Sequence, residues 1–370
     1  MKKALVHDWY YVNGGAEKVI HSINSIWDDF DHFALIDFLS ASDRDFILNG
    51  AKVKTSFIQN LPTSKSNHRK FLQLFPYAIE QFDLSEYDLV ISSSSSIAKG
   101  VLTHQNQLHI CYCHSPMRYA WDLYHAHLKT SGLDSGLKGI YAKYVLNKIR
   151  VWDVINSNRV DFFVANSNYI ADRIQKIYRR ESTVIYPPVD VDFFEFQSEK
   201  EDFYFTASRM VPYKNTEQII RAFNAMPNKK LIVAGDGPEF EKIKSLAKDN
   251  IEFVGFVSND ALKKYMKNCK AFVFAAFEDF GIVPVEAQAC GTPVICLGKG
   301  GTKETVIAGK TGIHFQKATP QQIVEAVKYF ENTHFDSALI RKNALKFSKE
   351  NFENQFKDFV ELKLEQYPNR

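Results

Sequence analysis

The sequence predicts an α/β fold made of two doubly wound parallel sheets. Short apolar runs rich in β-branched and aromatic residues recur along the chain, and each is followed by Gly, Ser, Asn or Asp and then by apolar residues at helical spacing. This alternation is typical of βα units whose strands are buried on both faces. The chain has 370 residues, which is too long for one compact core. We therefore expect two α/β domains of ordinary size.

The apolar runs define the predicted strands in both halves of the chain. In the first half they are Ala4–His7, Leu89–Ser92, His109–Cys113 and Phe162–Ala165. In the second half they are Phe203–Ala207, Leu231–Ala234, Ile251–Val254, Ala271–Ala275 and Pro293–Cys296. The serines of Ser92–Ser96 are interpreted as a loop after the second strand.

The boundary between the domains is predicted at a proline pair. Pro187 and Pro188 forbid a helix and favour an extended crossing, and a new series of strands begins after them. We place the first domain at residues 1–190 and the second at residues 195–350. Residues 351–370 carry apolar side chains at helical spacing, which predicts an amphipathic helix that packs back on the first domain.

The composition is that of a soluble globular protein, with 45% hydrophobic and 24% charged residues. A net charge of only +3 argues against a nucleic-acid partner. No apolar stretch approaches the roughly 20 residues that cross a bilayer, and His7 and Asp8 interrupt the first apolar run too early for a secretory signal. We therefore expect a cytoplasmic protein. The five cysteines lack metal-ligand spacing and are predicted to be buried free thiols.

Ligands of open α/β sheets bind outside the carboxyl ends of the strands, so polar residues at those ends are the first candidates. Gly14 and Gly15 follow the first strand and precede a predicted helix. Two interpretations stay open, a tight turn or a backbone that approaches a phosphate or sugar closely. The pattern is not GxGxxG, so a dinucleotide site is not supported.

A second candidate segment follows the predicted strand His109–Cys113. His114 stands at its carboxyl end and begins the stretch His114-Ser115-Pro116-Met117-Arg118-Tyr119-Ala120-Trp121-Asp122. A histidine in this place suggests a functional residue, with Arg118, Trp121 and Asp122 as its neighbours.

Two cations follow the first strand of the second domain. Arg209 and Lys214 lie in a turn, where a guanidinium fork and an ammonium point charge suit a diphosphate. The alternative, an exposed loop with ordinary surface charges, stays open at this point.

The most specific pattern is a pair of glutamates eight positions apart. Glu278 is predicted in a loop after the strand Ala271–Ala275, and Glu286 at the start of a helix, where the helix dipole favours a carboxylate. Gly300 and Gly301 add a backbone-exposing turn further on. This arrangement predicts one carboxylate for each of two sugar rings of a ligand.

These motifs together resemble the retaining glycosyltransferase family 4, whose fold is GT-B, two Rossmann-like domains that face a central cleft. The resemblance runs from Gly14-Gly15 through His114, Arg209 and Lys214 to the E-x7-E element of Glu278 and Glu286. The stretch CYCHSPMRYAWD is also similar to bacterial O-antigen and capsule mannosyltransferases that use GDP-mannose.

The resemblance implies a role for each matching residue. Arg209 and Lys214 are expected to hold the donor diphosphate, and Glu286 the ribose. Glu278 is expected to bind hydroxyls of the transferred sugar, with His114 near its reacting carbon. The backbone of Gly14 and Gly15, and amides of Gly300-Gly301, are expected to meet the donor. The remaining donor-binding positions implied are Phe280, Gly281 and Ile282.

The resemblance also implies the ligands. The donor is a nucleotide-diphosphate sugar, with GDP-mannose preferred, and the acceptor a glycan or polyprenyl-linked glycan of surface polysaccharide or lipopolysaccharide synthesis. No cofactor and no metal are expected, because Arg209 and Lys214 take the place of a cation at the leaving group. A UDP-sugar donor and a non-catalytic sugar-nucleotide-binding protein remain as alternatives. A sugar-nucleotide epimerase or hydrolase is disfavoured by the E-x7-E element, and a nicotinamide-dependent oxidoreductase by the missing GxGxxG.

Positive charge is concentrated in two segments of the first domain. Residues 65–75 and 125–150 carry many cations and the single acid Asp134, interleaved with apolar residues. One interpretation is peripheral contact with the cytoplasmic face of the inner membrane and with a lipid-linked acceptor. The other is a helix with an apolar core stripe and solvated cations. The apolar residues concerned are Phe71, Leu72, Leu74, Phe75, Leu137, Tyr141, Tyr144 and Val145.

Overall fold

The chain forms two compact units in the computed structural model, which describes residues 1–367. The first unit contains Met1–Tyr186 together with the chain from Phe352 onward, and the second contains Pro187–Asn351. The division falls at the proline pair, because Pro187 and Pro188 interrupt regular structure between two strand series.

The first unit is built on a seven-stranded parallel sheet in the order β3-β2-β1-β4-β5-β6-β7. Its strands are β1 Lys3–His7, β2 Phe30–Ala34, β3 Val53–Thr55, β4 Leu89–Ser94, β5 Leu108–Cys113, β6 Phe162–Ala165 and β7 Ser182–Val184. The strands β1, β4 and β5 are buried along their whole length, as expected for a parallel sheet covered on both faces.

Four strands were not predicted from the sequence: β2, β3 and β7 of this sheet, and Gly312–Phe315 of the second unit. The edge strands β3 and β7 have three residues each, so neither carries enough apolar residues to form a recognisable run. In β2 the apolar pattern is broken by Asp31 and by His32, which is buried although it is polar. These strands are therefore stabilised by pairing with neighbouring strands rather than by their own composition.

Helices pack on both faces of this sheet. They are α1 Gly15–Ile26, α2 Ala41–Leu48, α3 Ser64–Asn67, α4 Phe75–Glu80, α5 Tyr124–Thr130, α6 Gly136–Asn156 and α7 Asn168–Tyr178, and 3₁₀ turns occupy Phe57–Asn60, His68–Leu74, Ala98–Gly100 and Ser157–Arg159.

The C-terminal helix α15 (Lys349–Gln366) carries a stripe of aromatic residues that completes the core of the first unit. Phe352 and Phe356 are buried and stack on each other, and both contact the ring of Tyr112 from β5. Burial of such large apolar side chains contributes roughly 1.5–3 kcal/mol each. The helix therefore joins a core that begins with the first strand of the chain.

The second unit has a six-stranded parallel sheet in the order β10-β9-β8-β11-β12-β13. Its strands are β8 Glu201–Ala207, β9 Leu231–Ala234, β10 Ile251–Gly255, β11 Cys269–Phe274, β12 Val294–Leu297 and β13 Gly312–Phe315. Its helices are α8 Thr216–Asn224, α9 Phe240–Lys244, α10 Asn259–Asn268, α11 Ile282–Ala289, α12 Thr302–Thr305, α13 Pro320–Glu331 and α14 Ser337–Ala344, with 3₁₀ turns at Pro212–Lys214 and Leu345–Phe347.

Each sheet has one point at which the strand order reverses. In the first unit the chain moves outward from β1 to one edge through β2 and β3, and then to the other edge through β4. In the second unit the same reversal falls between β8 and β11. Loops at these points diverge to opposite faces of the sheet and leave a crevice at the carboxyl ends of the strands. A ligand site is therefore expected at β1/β4 and at β8/β11.

The five cysteines are buried with free thiols, which confirms the expectation from their spacing. Over residues 1–367, no helix has both the length and the apolar character that a membrane span requires. The same residues hold no cluster of three or more His, Cys, Asp or Glu side chains arranged for a metal ion.

Candidate functional site

Arg209 and Lys214 both lie at the carboxyl end of β8, beside the point where the second sheet reverses. Arg209 is exposed, and within residues 1–367 its guanidinium has no hydrogen-bond or ion-pair partner. Lys214 ends a 3₁₀ turn and is only partly exposed. The two cations therefore differ, because Arg209 reaches solvent while Lys214 is held against the unit.

Lys214 is paired with Glu278, a contact that spans the β8/β11 crevice. The Lys214 ammonium donates to Glu278 Oε1, and the exposed fractions of the two side chains are 16% and 22%. The ammonium also lies 5.7 Å from the centroid of the Phe274 ring and 5.3 Å from that of Tyr213. A half-buried cation packed on two ring faces is pre-oriented and loses less entropy when it binds an anion.

Asn215 positions this cation, and sequence analysis did not assign it a role. Its backbone is in the left-handed region at φ 56°, which ends the 3₁₀ turn directly after Lys214. Its Nδ2 donates to the Ala275 carbonyl at 3.0 Å and so fastens the β8 loop to the end of β11. The only signal in the sequence is that asparagine tolerates this conformation better than most residues.

Glu278 is held in place by a contact between its own loop and the Gly300-Gly301 turn. Residues Glu278 and Gly300 form an isolated parallel bridge, and the Gly301 amide donates to the Glu278 carbonyl at 3.0 Å. The Gly301 amide is thus engaged within the unit, and the expectation that it meets a phosphate is wrong for that residue in this state. Instead, the Gly300-Gly301 turn fixes the loop that presents Glu278.

Replacing Gly301 by Ala should displace this loop. An added Cβ would lie 2.2 Å from Phe280 Cα and 2.3 Å from the Phe280 carbonyl oxygen, so backbone must move. We expect a loss of about 1–3 kcal/mol in unfolding free energy, together with weaker binding of any ligand that Glu278 holds. Urea unfolding and calorimetry would measure the two effects.

A control without a steric clash is Gly309→Ala, at a glycine with φ 75° and open space around the added Cβ, whereas Gly301 has φ −64°. That change reports the cost of a left-handed backbone alone. Ligand affinity lowered equally in both variants would contradict the assignment of Gly301 to the Glu278 loop.

The expectation that Glu286 stands at the start of a helix is wrong. The helix α11 begins at Ile282 after Gly281, whose φ of 89° favours glycine as the cap. Glu286 therefore lies beyond the first turn, where the helix dipole has little effect, and its side chain is buried with an exposed fraction of 6%. Phe280 is likewise buried and packs on Phe347, so its side chain is part of the core rather than of a ligand surface.

In the first unit, Gly14 and Gly15 begin α1 beside the β1/β4 reversal. Gly14 is the cap residue, and its amide donates to Glu17 Oε2 at 3.1 Å. Glu17 Oε1 lies 3.6 Å from His7 Nε2, and both side chains are buried. The start of α1 is therefore anchored to the end of β1 by a buried acid and histidine, neither of which was assigned a role from sequence.

This arrangement favours a proton on both ring nitrogens of His7. Its Nδ1 donates to the Ser93 carbonyl at 3.0 Å, so Nε2 faces Glu17 favourably only when it also carries a proton. Burial lowers the pKa of His7, but the hydrogen bond and charge of Glu17, with Asp8 adding to them, outweigh burial and raise this pKa above 6.5.

His114 also contacts Ser93, the residue whose carbonyl accepts a hydrogen bond from His7. Its Nε2 hydrogen-bonds Ser93 Oγ at 2.8 Å, and its ring packs edge-on against Tyr112. Burial, with a smaller contribution from the charge of His7, lowers the pKa of His114 to about 4. His114 is therefore neutral near pH 7, a state suited to hydrogen bonding with sugar hydroxyls rather than to charge stabilisation.

The His7–Glu17 pair should make stability fall as pH rises. Because the folded pKa of His7 is raised, its contribution is complete below the unfolded value of 6.5 and is lost as pH rises through the folded value. The loss should be about 1.4 kcal/mol for each unit by which that pKa is raised. Urea unfolding of wild type and His7→Gln between pH 6 and 9 would measure it.

The neighbouring histidines do not interfere in this range, because burial lowers the pKa values of His32 and His114 to about 4. His7→Gln keeps a donor for the Ser93 carbonyl but cannot titrate. Parallel pH profiles for wild type and variant would refute the charged state of His7.

The segment Ser92–Ser96 is largely strand rather than a loop. Strand β4 continues to Ser94, and two of its serine side chains have buried or partly buried partners: Ser92 Oγ with His109 Nε2 and Ser93 Oγ with His114 Nε2, each at 2.8 Å. Beyond the strand, the fully buried Asp8 carboxylate accepts four hydrogen bonds, listed here by donor: the amides of Ser95, Ile97 and Ala98 and the Ser95 hydroxyl. Asp8 therefore shapes the loop at the β1/β4 crevice.

The residues that follow His114 are mostly engaged inside the unit. Trp121 donates from Nε1 to the buried Asp153 at 2.8 Å, and Asp122 is ion-paired with Arg173. Arg173 also donates to Ser115 Oγ at 2.6 Å and so holds the loop at two points. Trp121 and Asp122 thus serve to fix the loop around His114, while Arg118 lies partly buried within it.

The basic segments of the first unit divide between core and surface. Phe75 is buried in the core, and Phe71, Leu72, Leu74 and Val145 pack partly against it. Three apolar residues of α6 point to solvent instead, with exposed fractions of 86% for Leu137, 55% for Tyr141 and 59% for Tyr144. The apolar stripe is thus neither wholly core nor wholly surface.

Comparison with known proteins gives matches for both units. Residues 14–193 match the family described as "Glycosyltransferase Family 4", and residues 190–347 match "Glycosyl transferases group 1". The crystal structure of Anabaena Alr3699/HepE in complex with UDP superposes with a TM-score of 0.69 at 19% identity, and covers 98% of this chain and 100% of that one. At that identity the likeness establishes the two-domain fold alone.

Two curated relatives match shorter stretches. The chain is 30% identical over 195 residues to the uncharacterized glycosyltransferase MJ1178 of Methanocaldococcus jannaschii, covering 51% of this chain and 55% of that protein. It is 32% identical over 122 residues to the GDP-mannose-dependent alpha-(1-6)-phosphatidylinositol monomannoside mannosyltransferase of Mycolicibacterium smegmatis, covering 28% of this chain and 32% of that protein. The chain thus spans about half or less of these relatives. The first unit thus matches Glycosyltransferase Family 4 and the second matches Glycosyl transferases group 1, so both units of the chain carry a glycosyltransferase family match.

Proposed function

We propose that this protein transfers a hexose from a nucleotide diphosphate donor to a glycan acceptor, with retention of anomeric configuration and without a metal ion. The observation that carries the proposal is the pair of cations at the β8/β11 reversal, of which Arg209 is exposed and Lys214 is oriented by Glu278. Cations preorganised at this point are suited to the charge that develops on a leaving diphosphate.

The donor is proposed to bind the second unit. Arg209 and Lys214 hold its diphosphate, and Glu278 accepts hydrogen bonds from hydroxyls of the transferred sugar. When the diphosphate arrives, Lys214 exchanges part of its contact with Glu278 for the phosphate, which frees the carboxylate for the sugar. Glu286, which is only 6% exposed, is proposed to contact the ribose.

The sugar nucleotide is proposed to be GDP-mannose. Support comes from the local similarity to the GDP-mannose-dependent enzyme of M. smegmatis. A UDP-sugar is the second candidate, and it is favoured by the fold neighbour whose structure contains UDP.

The first unit is proposed to take the acceptor, a glycan on a lipid carrier, at the inner membrane surface. His114 is neutral and suits a sugar hydroxyl, and the exposed face of α6 combines Leu137, Tyr141 and Tyr144 with lysines. An amphipathic basic surface of this kind binds anionic bilayers peripherally.

A ligand panel tests the donor. Thermal shift and calorimetry with GDP, UDP, ADP and their hexose conjugates, in EDTA, should show stabilisation by GDP and GDP-mannose that is lost in Arg209→Ala. Preference for a uridine nucleotide would contradict GDP-mannose as the donor and favour a UDP-sugar, while hexose transfer would remain the proposed reaction. No stabilisation by any member of the panel would contradict the proposed function.

Vesicle sedimentation tests the membrane contact. The protein should bind vesicles containing phosphatidylglycerol, with affinity that falls as salt rises, because each cation near an anionic surface contributes about 1 kcal/mol. Leu137→Ser should weaken this binding, whereas Leu362→Ser, at an exposed residue of α15, should not. Salt-independent binding, or none, would exclude the peripheral contact.

A further inference from the structure

We infer that Ser93 is a positioning residue for His114. The buried Ser93 hydroxyl donates a hydrogen bond to Nε2 of the neutral imidazole, so the single ring proton of His114 lies on Nδ1. His114 then acts toward substrate only as a hydrogen-bond donor. That the group it meets is a sugar rests on the proposed function, whereas the position of its proton does not.

The register of the first sheet places Ser93 beside His114. In the parallel pair β4/β5, Ser93 lies opposite Tyr112, and His114 follows Tyr112 by two residues. Residues two positions apart on a strand share a face, so both side chains project from the same face of the sheet. The backbone of His114 is also held, because its amide donates to the Ser94 carbonyl at 2.9 Å and its carbonyl accepts from Asn166 Nδ2 at 3.0 Å.

The direction of the hydrogen bond follows from the surroundings of the Ser93 hydroxyl. Ser93 is fully buried, and within residues 1–367 its Oγ has no hydrogen-bond partner other than His114 Nε2, at 2.8 Å. If Nε2 carried the proton and donated it, the buried hydroxyl hydrogen would be left without an acceptor, which is unfavourable. When the hydroxyl donates instead, its hydrogen and the Nε2 lone pair are both satisfied.

His114 is neutral near pH 7, so it carries one ring proton and this hydrogen bond decides where that proton lies. Burial, followed by the charge of His7, lowers the pKa of His114 to about 4, although Asp8 and Glu17 act in the opposite direction. His7 Nδ1 bonds the Ser93 carbonyl at 3.0 Å, so Ser93 contacts both rings.

The second ring nitrogen of His114 is accessible to a ligand. The residue is only partly buried, and Nδ1 has no hydrogen-bond partner in the described part of the chain and is not a buried atom. With its proton in place, Nδ1 donates to an oxygen of a bound sugar and has no lone pair that could accept a proton. His114 therefore orients the substrate and does not serve as general base for an acceptor hydroxyl.

The position of the ring proton can be measured by long-range ¹H–¹⁵N NMR on protein labelled with ¹⁵N-histidine. The two neutral tautomers give different cross-peak patterns, because protonated and unprotonated ring nitrogens resonate far apart. The chain has 11 histidines, so His114→Gln is needed to assign the signal. Near pH 7 and without any ligand, we expect the Nδ1–H tautomer of His114 in the wild type. An Nε2–H tautomer would overturn the proposal.

Replacing Ser93 by Ala should convert His114 to the Nε2–H tautomer, the form that a free histidine side chain prefers in water. An unchanged Nδ1–H tautomer in Ser93→Ala would show that another group places the proton and would overturn the role of Ser93. If this variant does not fold, the wild-type spectrum alone still decides whether the hydroxyl donates to Nε2.

Ser92→Ala is the matched control. Ser92 is as buried as Ser93 and makes the same contact, from its Oγ to His109 Nε2 at 2.8 Å. Because consecutive residues of a strand point to opposite faces, this second pair lies on the other face of the sheet. Ser92→Ala should leave the His114 signal as in the wild type. An equal change of that signal in both variants would indicate a general loosening of β4 and contradict a specific role for Ser93.

Kinetics connect the proton position to substrate. With the donor identified by the nucleotide panel, Ser93→Ala should lower kcat/KM by about tenfold, since one neutral hydrogen bond to the sugar is lost. Ser92→Ala should not lower it. A tautomer change in Ser93→Ala without loss of kcat/KM would overturn the proposed contact with substrate.

The spectrum needs neither donor nor turnover, so its outcome is separable from that of the proposed function. An Nδ1–H tautomer that depends on Ser93, in a chain that fails the nucleotide panel, would retain the positioning role of Ser93 and reject the transferase function. An Nε2–H tautomer in a chain that binds a sugar nucleotide would retain the transferase function and reject the role of Ser93.

Discussion

Replacing Lys214 by Ala should lower the turnover of hexose transfer by about 10²–10³, the effect of removing one preorganised charge stabiliser of roughly 2.7–4 kcal/mol. The ammonium is oriented before any ligand binds, by Glu278 and by the rings of Phe274 and Tyr213. Its removal also leaves the Glu278 carboxylate without its cation, beside the proposed site of the donor phosphates. Both changes oppose departure of a nucleotide diphosphate.

Steady-state kinetics with the donor found in the nucleotide panel would measure the effect. Lys230→Ala is the matched control, since Lys230 is an exposed lysine of the same unit with a surface partner in Glu252. The double variant Lys214→Ala/Glu278→Gln separates the lost cation from the uncompensated carboxylate. Turnover of Lys214→Ala within about threefold of wild type, near 0.7 kcal/mol, would sink the diphosphate assignment.

Replacing Asp153 by Ala should destabilise the first unit by about 3–5 kcal/mol, the cost of breaking a buried ion pair from one side. Asp153 is fully buried and accepts from Lys99, from Trp121 Nε1 at 2.8 Å and from the Tyr178 hydroxyl at 2.9 Å. Lys99 has an exposed fraction of 2%, so its charge would remain buried without a counterion.

Urea unfolding, followed by a probe in the first unit, would measure this loss. The double variant Lys99→Met/Asp153→Leu removes both charges and should recover much of the stability, because an apolar pair of similar volume avoids the desolvation penalty. A loss below about 1 kcal/mol in Asp153→Ala would show that the pair is solvated or otherwise replaceable. Since Trp121 is also released, the variant should loosen the loop that carries His114.

Many of the strands could be predicted from the sequence because a strand that is buried on both faces consists of a continuous run of apolar residues. The runs at Leu89, Phe162 and Leu231 are continuous apolar stretches, and each lies in a strand of the structure. The strand that begins at Phe30 contains the polar residues Asp31 and His32, so its sequence is not a continuous apolar run and did not predict a strand.

The candidate residues were chosen because ligands of open α/β sheets bind outside the carboxyl ends of the strands. Arg209, Lys214 and Glu278 could be proposed as candidates for one ligand site from their positions at strand ends. That Lys214 and Glu278 are in contact could not, because they are separated by β9, β10 and the strand β11, and only the sheet order brings β8 beside β11.

The sequence alone therefore determined the α/β class, the two domains, the boundary at the proline pair and the set of motif residues, since each leaves a local mark in spacing or composition. The tertiary structure decided which of these side chains are exposed, which are buried and which are paired within their unit. It turned Glu286 and Phe280 inward, used Trp121 and Asp122 to hold a loop, and revealed His7, Glu17 and Asn215 as supports. The physical reason is that buried polar groups must find partners, and those partners come from distant parts of the chain that only the sheet order brings together.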